Sequence, residues 1–242
     1  MFNIKNLVNK LLGEMRDDLG SSIAVLDEKS IGNFYKDRTN PFLVSFPRTG
    51  SHWLRMIMEL YFRRPSLVRI FYYPEETNYL TLHTHDKDLS LERENVIYLY
   101  RDPVETVYSQ LNYYKEDIND HSRIVCWADL YGRHLNKWLC TEKFTRKKTV
   151  LTYEGMKRDM VKEFGKITDH FGEKLDKGKL KKATDRITKE EVKKKTGHDP
   201  QVVQLTATYN NLRQDFKRLN EQLVWDTVLN GRPYLEKYFN YL

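Results

Sequence analysis

Phe42-Leu43-Val44-Ser45-Phe46-Pro47-Arg48-Thr49-Gly50-Ser51-His52-Trp53-Leu54-Arg55 is the stretch that decides how this chain folds. Phe42-Leu43-Val44 is a short apolar run of the kind that forms a buried strand. Trp53, Leu54, Ile57, Leu60 and Tyr61 recur at helical spacing. Between them Pro47-Arg48-Thr49-Gly50 breaks the strand, and the chain re-enters as a helix at Ser51. Such a turn leaves backbone N–H groups without intrahelical partners and places the positive end of the helix over it. Arg48 adds a fixed cation. The turn predicts a cradle for phosphate or a phosphate-like group.

Working outward, short apolar or β-branched runs predict strands over 42–46, 79–83, 96–100 and 149–153. Helical patterns cover 51–62, 104–114, 124–141 and 156–171, and the C-terminal third reads as mostly helical. That alternation predicts an α/β fold in three layers, a mainly parallel sheet flanked by helices. Ligands in such folds sit beyond the carboxyl ends of the strands. With no internal repeat or low-complexity linker, residues 1–242 read as a single domain. Residues 1–38 form an N-terminal helical extension, marked by a stripe of Ile4, Leu7, Val8, Leu11, Leu12 and Met15.

Composition narrows the class. No run approaches the roughly 20 apolar residues of a membrane span, and the N-terminus lacks a signal-peptide core. Cys126 and Cys140 are the two cysteines. Fourteen residues apart on one helix, they would stand roughly 21 Å from each other, too far to pair. This fits a reducing, cytoplasmic setting. Charge is concentrated: Lys174 to Lys195 carries ten basic and four acidic residues, most of the chain's net +7. The segment 174–200 reads as a basic face without any nucleic-acid motif.

The turn is not a nucleotide-triphosphatase loop, which needs G-x-x-x-x-G-K-[ST]. Here the cation precedes the glycine, and no Lys follows it. Three further segments stand out. Tyr98-Leu99-Tyr100-Arg101-Asp102-Pro103 ends a strand and opens a helix, with Ser109 eight residues after Arg101. Leu82-His83-Thr84-His85 ends another strand, and Thr149-Val150-Leu151-Thr152-Tyr153-Glu154 a third. His83 and His85 on one strand face would be half a metal site, but no third ligand lies nearby, so no metal is expected.

Taken together these segments resemble the sulfotransferases that use 3′-phosphoadenosine 5′-phosphosulfate (PAPS). Pro47-Arg48-Thr49-Gly50-Ser51-His52-Trp53-Leu54 is similar to their 5′-phosphosulfate loop, Pro-[Lys/Arg]-Ser-Gly-Thr/Ser-x-Trp-Leu. The spacing of Arg101 and Ser109 matches R-[ND]-P-x-x-x-x-x-S, whose Arg and Ser grip the 3′-phosphate. Arg offers phosphate a planar fork of donors and Ser a hydroxyl. Thr84-His85 resembles the Thr-His pair whose His is the general base, with His83 in place of the family Lys. An imidazole suits that task near neutrality. The resemblance further implies that Trp53 stacks on adenine and that Tyr153 lies on the adenine side. Arg48, Thr49, Gly50, Ser51 and His52 would hold the phosphosulfate end, with Arg48 stabilising the transferring group. The family's C-terminal Arg-Lys-Gly signature has its nearest counterpart at Lys193-Lys194-Lys195-Thr196-Gly197, one residue out of step. Lys194 and Lys195 would then be point charges at the 3′-phosphate.

The expected activity is transfer of a sulfuryl group from PAPS to a hydroxyl or amine, on a small-molecule or glycan acceptor, without metal or specific nucleic acid. Two other classes stay open on the residues alone. A nucleotide-dependent phosphotransferase would require ATP and Mg²⁺. A polyanion-binding module built on the basic segment would show steep salt dependence.

Overall fold

In the computed structural model, residues 28–67, 69–141, 145–196 and 207–240 are described. The apolar stripe of residues 4–15 and the end of the basic segment, 197–200, lie outside them. The order is α1 (Glu28–Lys36), β1 (Phe42–Ser45), α2 (Ser51–Phe62), β2 (Leu82–Thr84), β3 (Asn95–Tyr100), α3 (Pro103–Tyr114) and α4 (His121–Leu135). There follow a π-helical segment (Asn136–Cys140), β4 (Lys147–Thr152), α5 (Tyr153–Arg158), α6 (Met160–His170) and α7 (Lys177–Arg186). The chain continues through α8 (Lys189–Thr196) and α9 (Ala207–Leu229) to a 3₁₀ turn (Pro233–Tyr238).

The four strands pair in parallel in the order β2-β1-β3-β4. Alternation along the central strands sends side chains to opposite faces. Phe42, Val44, Tyr98 and Tyr100 join a core with α1, α3, α4 and α9. Leu43, Ile97 and Leu99 join one with α2, α6 and α7. Both faces are covered, which is why the strands read as continuous apolar runs. The predicted three-layer α/β architecture is the observed one.

Several boundaries move, each for a local reason. Residues 79–81 do not extend β2 toward its N-terminus. Leu80 N–H donates to the Pro65 carbonyl and Leu67 N–H to the Thr81 carbonyl, both at 2.8 Å, so this backbone pairs with residues 65–67 instead. The expected helix 156–171 becomes two, because the Asp159 side chain accepts from Lys162 N–H at 2.9 Å and starts a new helix. The helix expected to reach residue 141 widens at Asn136 into π geometry that buries Trp138 and Leu139. Cys126 and Cys140 are both free thiols.

Candidate functional site

The carboxyl ends of β1, β2, β3 and β4 bring their following residues to one rim, with the 46–50 turn at its centre. Thr49, fully buried, pins the turn by donating its Oγ1–H to the Phe46 carbonyl at 2.8 Å. Gly50 has φ +94°, and a Cβ there would stand 2.5 Å from Cδ2 of Tyr153. Both the backbone and the aromatic neighbour demand glycine. Arg48 is itself left-handed, with φ 70°. Strain of this kind persists only where surrounding contacts hold it, and it gathers at functional sites.

On the β3/β4 side the expected nucleotide residues converge. Arg48 Nε donates to Ser109 Oγ at 3.2 Å, and its guanidinium lies 4.8 Å from the Tyr113 ring centroid. Arg101 Nη1 donates to the Arg48 carbonyl at 3.2 Å. The Arg101 guanidinium lies 4.6 Å from the Tyr153 ring, which meets Trp53 edge-on at 5.7 Å. Arg101 is set by Tyr131, whose hydroxyl accepts from its N–H at 3.0 Å and donates to its carbonyl at 2.7 Å. Asp102 caps α3 by accepting from Glu105 N–H at 2.9 Å, with Pro103 in the first turn. Buried Arg101 Nε has no hydrogen-bond partner among the described residues.

On the β2 side stand the histidines. His85 Nδ1 lies 2.7 Å from the Ser45 carbonyl, which can only accept, so Nδ1 carries the proton. With Nδ1 committed as donor, Nε2 is the ring nitrogen placed to accept a proton. His83 packs edge-to-face on His85 at 4.7 Å, and its Nε2 shares a hydrogen bond with Ser45 Oγ at 3.1 Å. His52, at the start of α2, accepts at Nε2 from Arg69 Nη1 at 3.0 Å. Ser51, buried, opens the same helix.

Lys194 and Lys195 fall elsewhere. Both are exposed on α8, where Lys195 donates to the Phe71 carbonyl at 2.7 Å and lies 4.6 Å from the Tyr72 ring. Neither bonds to Arg101 or Ser109 among the described residues. Instead α9 delivers Arg213, whose Nε donates to Glu105 at 2.6 Å, while Glu105 also accepts from Arg101 Nη2 at 3.1 Å. His134 was also invisible in the sequence. Fully buried, it accepts from the Tyr98 hydroxyl at Nδ1 (2.9 Å) and donates from Nε2 to the His85 carbonyl (2.8 Å). Buried Asp86, next along, takes a bidentate pair from Arg93 at 3.0 and 2.8 Å and a Thr84 hydroxyl bond at 2.8 Å. No group of three or more His, Cys, Asp or Glu among the described residues is arranged to hold a metal ion. No described helix is long and apolar enough to cross a membrane.

Burial fixes the histidines' charge. It pushes His134 down to about 3 and His170 to about 4, and holds His52 and His83 well below the ordinary imidazole range. These rings stay neutral in the fold but take up protons near pH 6.5 in the unfolded chain. Their contribution is therefore complete above about pH 6.5 and falls as pH drops. We expect a loss of about 1.4 kcal/mol per histidine one pH unit below 6.5. Urea midpoints that agree at pH 7.5 and 5.5 would show that these imidazoles titrate freely in the native protein.

A parallel sheet with a strained strand-to-helix turn at the carboxyl ends of its strands defines an α/β protein whose rim is where such folds take their ligands. A family model of the sulfotransferase domain matches residues 72–201, just over half of the chain. The chain belongs to the sulfotransferase domain family. No curated protein sequence matches it. Among solved structures, mouse sulfotransferase SULT7A1 complexed with PAP is 16% identical, with 90% of this chain and 95% of that one covered and a TM-score of 0.52. Retinol dehydratase in complex with androsterone and inactive cofactor PAP is 12% identical over 92% and 94% of the two chains, also at 0.52. At such identities the likeness is one of fold.

Proposed function

We propose that the protein moves a sulfuryl group from PAPS to a hydroxyl or amine on a small-molecule or glycan acceptor, residues 1–242 acting as one domain. The observation that carries this is the pairing of two flanks across the 46–50 turn. One flank, Arg101, Ser109, Trp53 and Tyr153, suits an adenosine 3′-phosphate. The other presents an imidazole whose tautomer leaves Nε2 as the base. Two features fit the nucleotide: the buried Arg101 Nε without a partner, and a turn stripped of Cβ where Tyr153 closes in. The fold's likeness to structures solved with PAP supports the same reading.

PAPS, when bound, supplies an activated sulfuryl group. Arg48 and the N–H groups of residues 49–51 hold and stabilise the charge that builds there, preorganised by the fold. Arg48 acts by charge and by its planar fork of donors, not as an acid. His85 Nε2 accepts the acceptor's proton. In this reading Arg213, which shares Glu105 with Arg101, is an α9 cation beside the Arg101 subsite, the place the resemblance would give to Lys194 and Lys195. The free thiols favour a reducing, cytoplasmic setting.

Thermal denaturation with adenosine 3′,5′-bisphosphate (PAP) tests the donor. At about 100 times its Kd, PAP is expected to add about 2.7 kcal/mol, an upward shift of roughly 5–10 °C. Stabilisation by ATP with Mg²⁺ and none by PAP would favour a phosphotransferase instead.

A further inference from the structure

The β2 flank of the turn carries more charge than proton removal requires. His52 occupies the position that varies in the family's loop, and here it is joined to Arg69. Because a guanidinium only donates, His52 Nε2 accepts and its proton sits on Nδ1. Arg69 is half-buried with a left-handed φ of 51°, a conformation that needs support from its surroundings.

That support comes from two charged residues inside the core. Arg55, 1% exposed, donates from Nη2 to the Arg69 carbonyl at 2.7 Å, with its guanidinium 5.1 Å from the Phe71 ring. Glu59, one turn further along α2 and fully buried, accepts the N–H groups of Ser66, Phe71 and Tyr72 at 3.0, 2.9 and 3.0 Å. Burying such groups is costly, and an apolar pair of the same volume would often stabilise a core as well. What Arg55 and Glu59 accomplish is to fix the backbone of Ser66, Arg69, Phe71 and Tyr72, so that Arg69 stands beside His52. The guanidiniums bearing on His52 are those of Arg69, Arg55 and Arg48, the Arg55 charge being faced by Glu59.

An acceptor that reaches His85 must lie on this flank, away from Arg101 and Tyr153. We infer that the acceptor is itself an oxyanion, a hydroxyl compound carrying a carboxylate or phosphate that Arg69 and His52 recognise. This rests on the proposed sulfuryl transfer with His85 as base. An uncharged apolar acceptor would strip water from Arg69 and His52 without replacing their hydrogen bonds. A carboxylate or phosphate matches the guanidinium fork and adds charge-assisted bonds.

The test is binding to the PAP-saturated protein by calorimetry, using matched probes: 4-hydroxybenzoate against 4-hydroxybenzamide, 4-hydroxyphenyl phosphate against phenol, and glucuronate against glucose. The carboxylate and phosphate arms separate the two oxyanions. At least one anionic member is expected to bind roughly ten- to a hundredfold tighter than its neutral counterpart, the worth of one or two charge-assisted bonds. In Arg69→Gln that preference is expected to shrink at least about fivefold, as the fork is lost. Neutral members binding as well as their partners, no anionic member binding, or a preference that survives Arg69→Gln would each overturn the inference. PAP binding by the wild type is read first. Its failure would strike the sulfotransferase reading, whereas PAP binding without anion preference strikes only the acceptor class.

Discussion

His85→Ala is expected to lower kcat for sulfuryl transfer by about 10²- to 10⁴-fold, the usual worth of a positioned general base. The expectation comes from how completely the ring is set. Its Nδ1–H is held by the Ser45 carbonyl at the end of β1. Its own carbonyl is held by His134, whose tautomer is fixed in turn by the Tyr98 hydroxyl on β3. The next residue, Asp86, is anchored by the buried Arg93 pair. Three elements therefore determine where Nε2 stands. His85→Gln keeps a hydrogen-bonding side chain but supplies no base of suitable pKa, so it should be as slow as the alanine variant. The measurement is kcat with any acceptor the wild type sulfates, alongside PAP affinity by calorimetry. Turnover at the wild-type rate in either variant removes His85 from the chemistry, and a parallel loss of PAP affinity would point to a collapsed rim.

The contrast between what the sequence revealed and what it hid follows the range of the interactions. The strand, turn and helix of residues 42–62 were legible because each signal is local: an apolar run, a breaker, then 3.6-residue periodicity. Arg101, Asp102, Pro103 and Ser109 were legible for the same reason, since a cap and a helix's first two turns fix their spacing. His134 left no such trace. Its partner lies 49 positions away, and a lone histidine on a helix reads like any buried one. Arg213 reaches Glu105 across 108 positions from a helix whose pattern says nothing about that rim. Glu59 looks like a surface acid in an amphipathic helix until three N–H groups of a later loop converge on it. The start of β2 was misread because residues 79–81 find their partners at 65–67, and composition does not choose between rival backbones.

Arg101→Ala is expected to weaken PAP binding by about 10²- to 10³-fold, two charge-assisted bonds at about 1.5–3 kcal/mol each less what a neighbour recovers. Arg101 is already committed to the turn through Nη1 and to Glu105 through Nη2. Each of those nitrogens keeps a second N–H, and Nε is buried and without a partner among the described residues. Leaving a donor in that state costs about 1–3 kcal/mol, which a phosphate oxygen would return on binding. Arg101→Lys should recover little. An ammonium is a point charge without the planar fork, and it cannot face the Arg48 carbonyl, Glu105 and a phosphate in their separate directions. Glu105 sharpens the case. Its carboxylate accepts from both Arg101 and Arg213, so part of the cation charge is spent before any ligand arrives. Losing Arg101 would leave that carboxylate facing an incoming phosphate with only Arg213 to offset it. The double variant Arg101→Ala/Glu105→Gln should therefore bind PAP more tightly than Arg101→Ala alone. If the single variant binds PAP like the wild type, Arg101 does not hold the 3′-phosphate. If the double variant is weaker than the single, the like-charge repulsion assigned to Glu105 is absent.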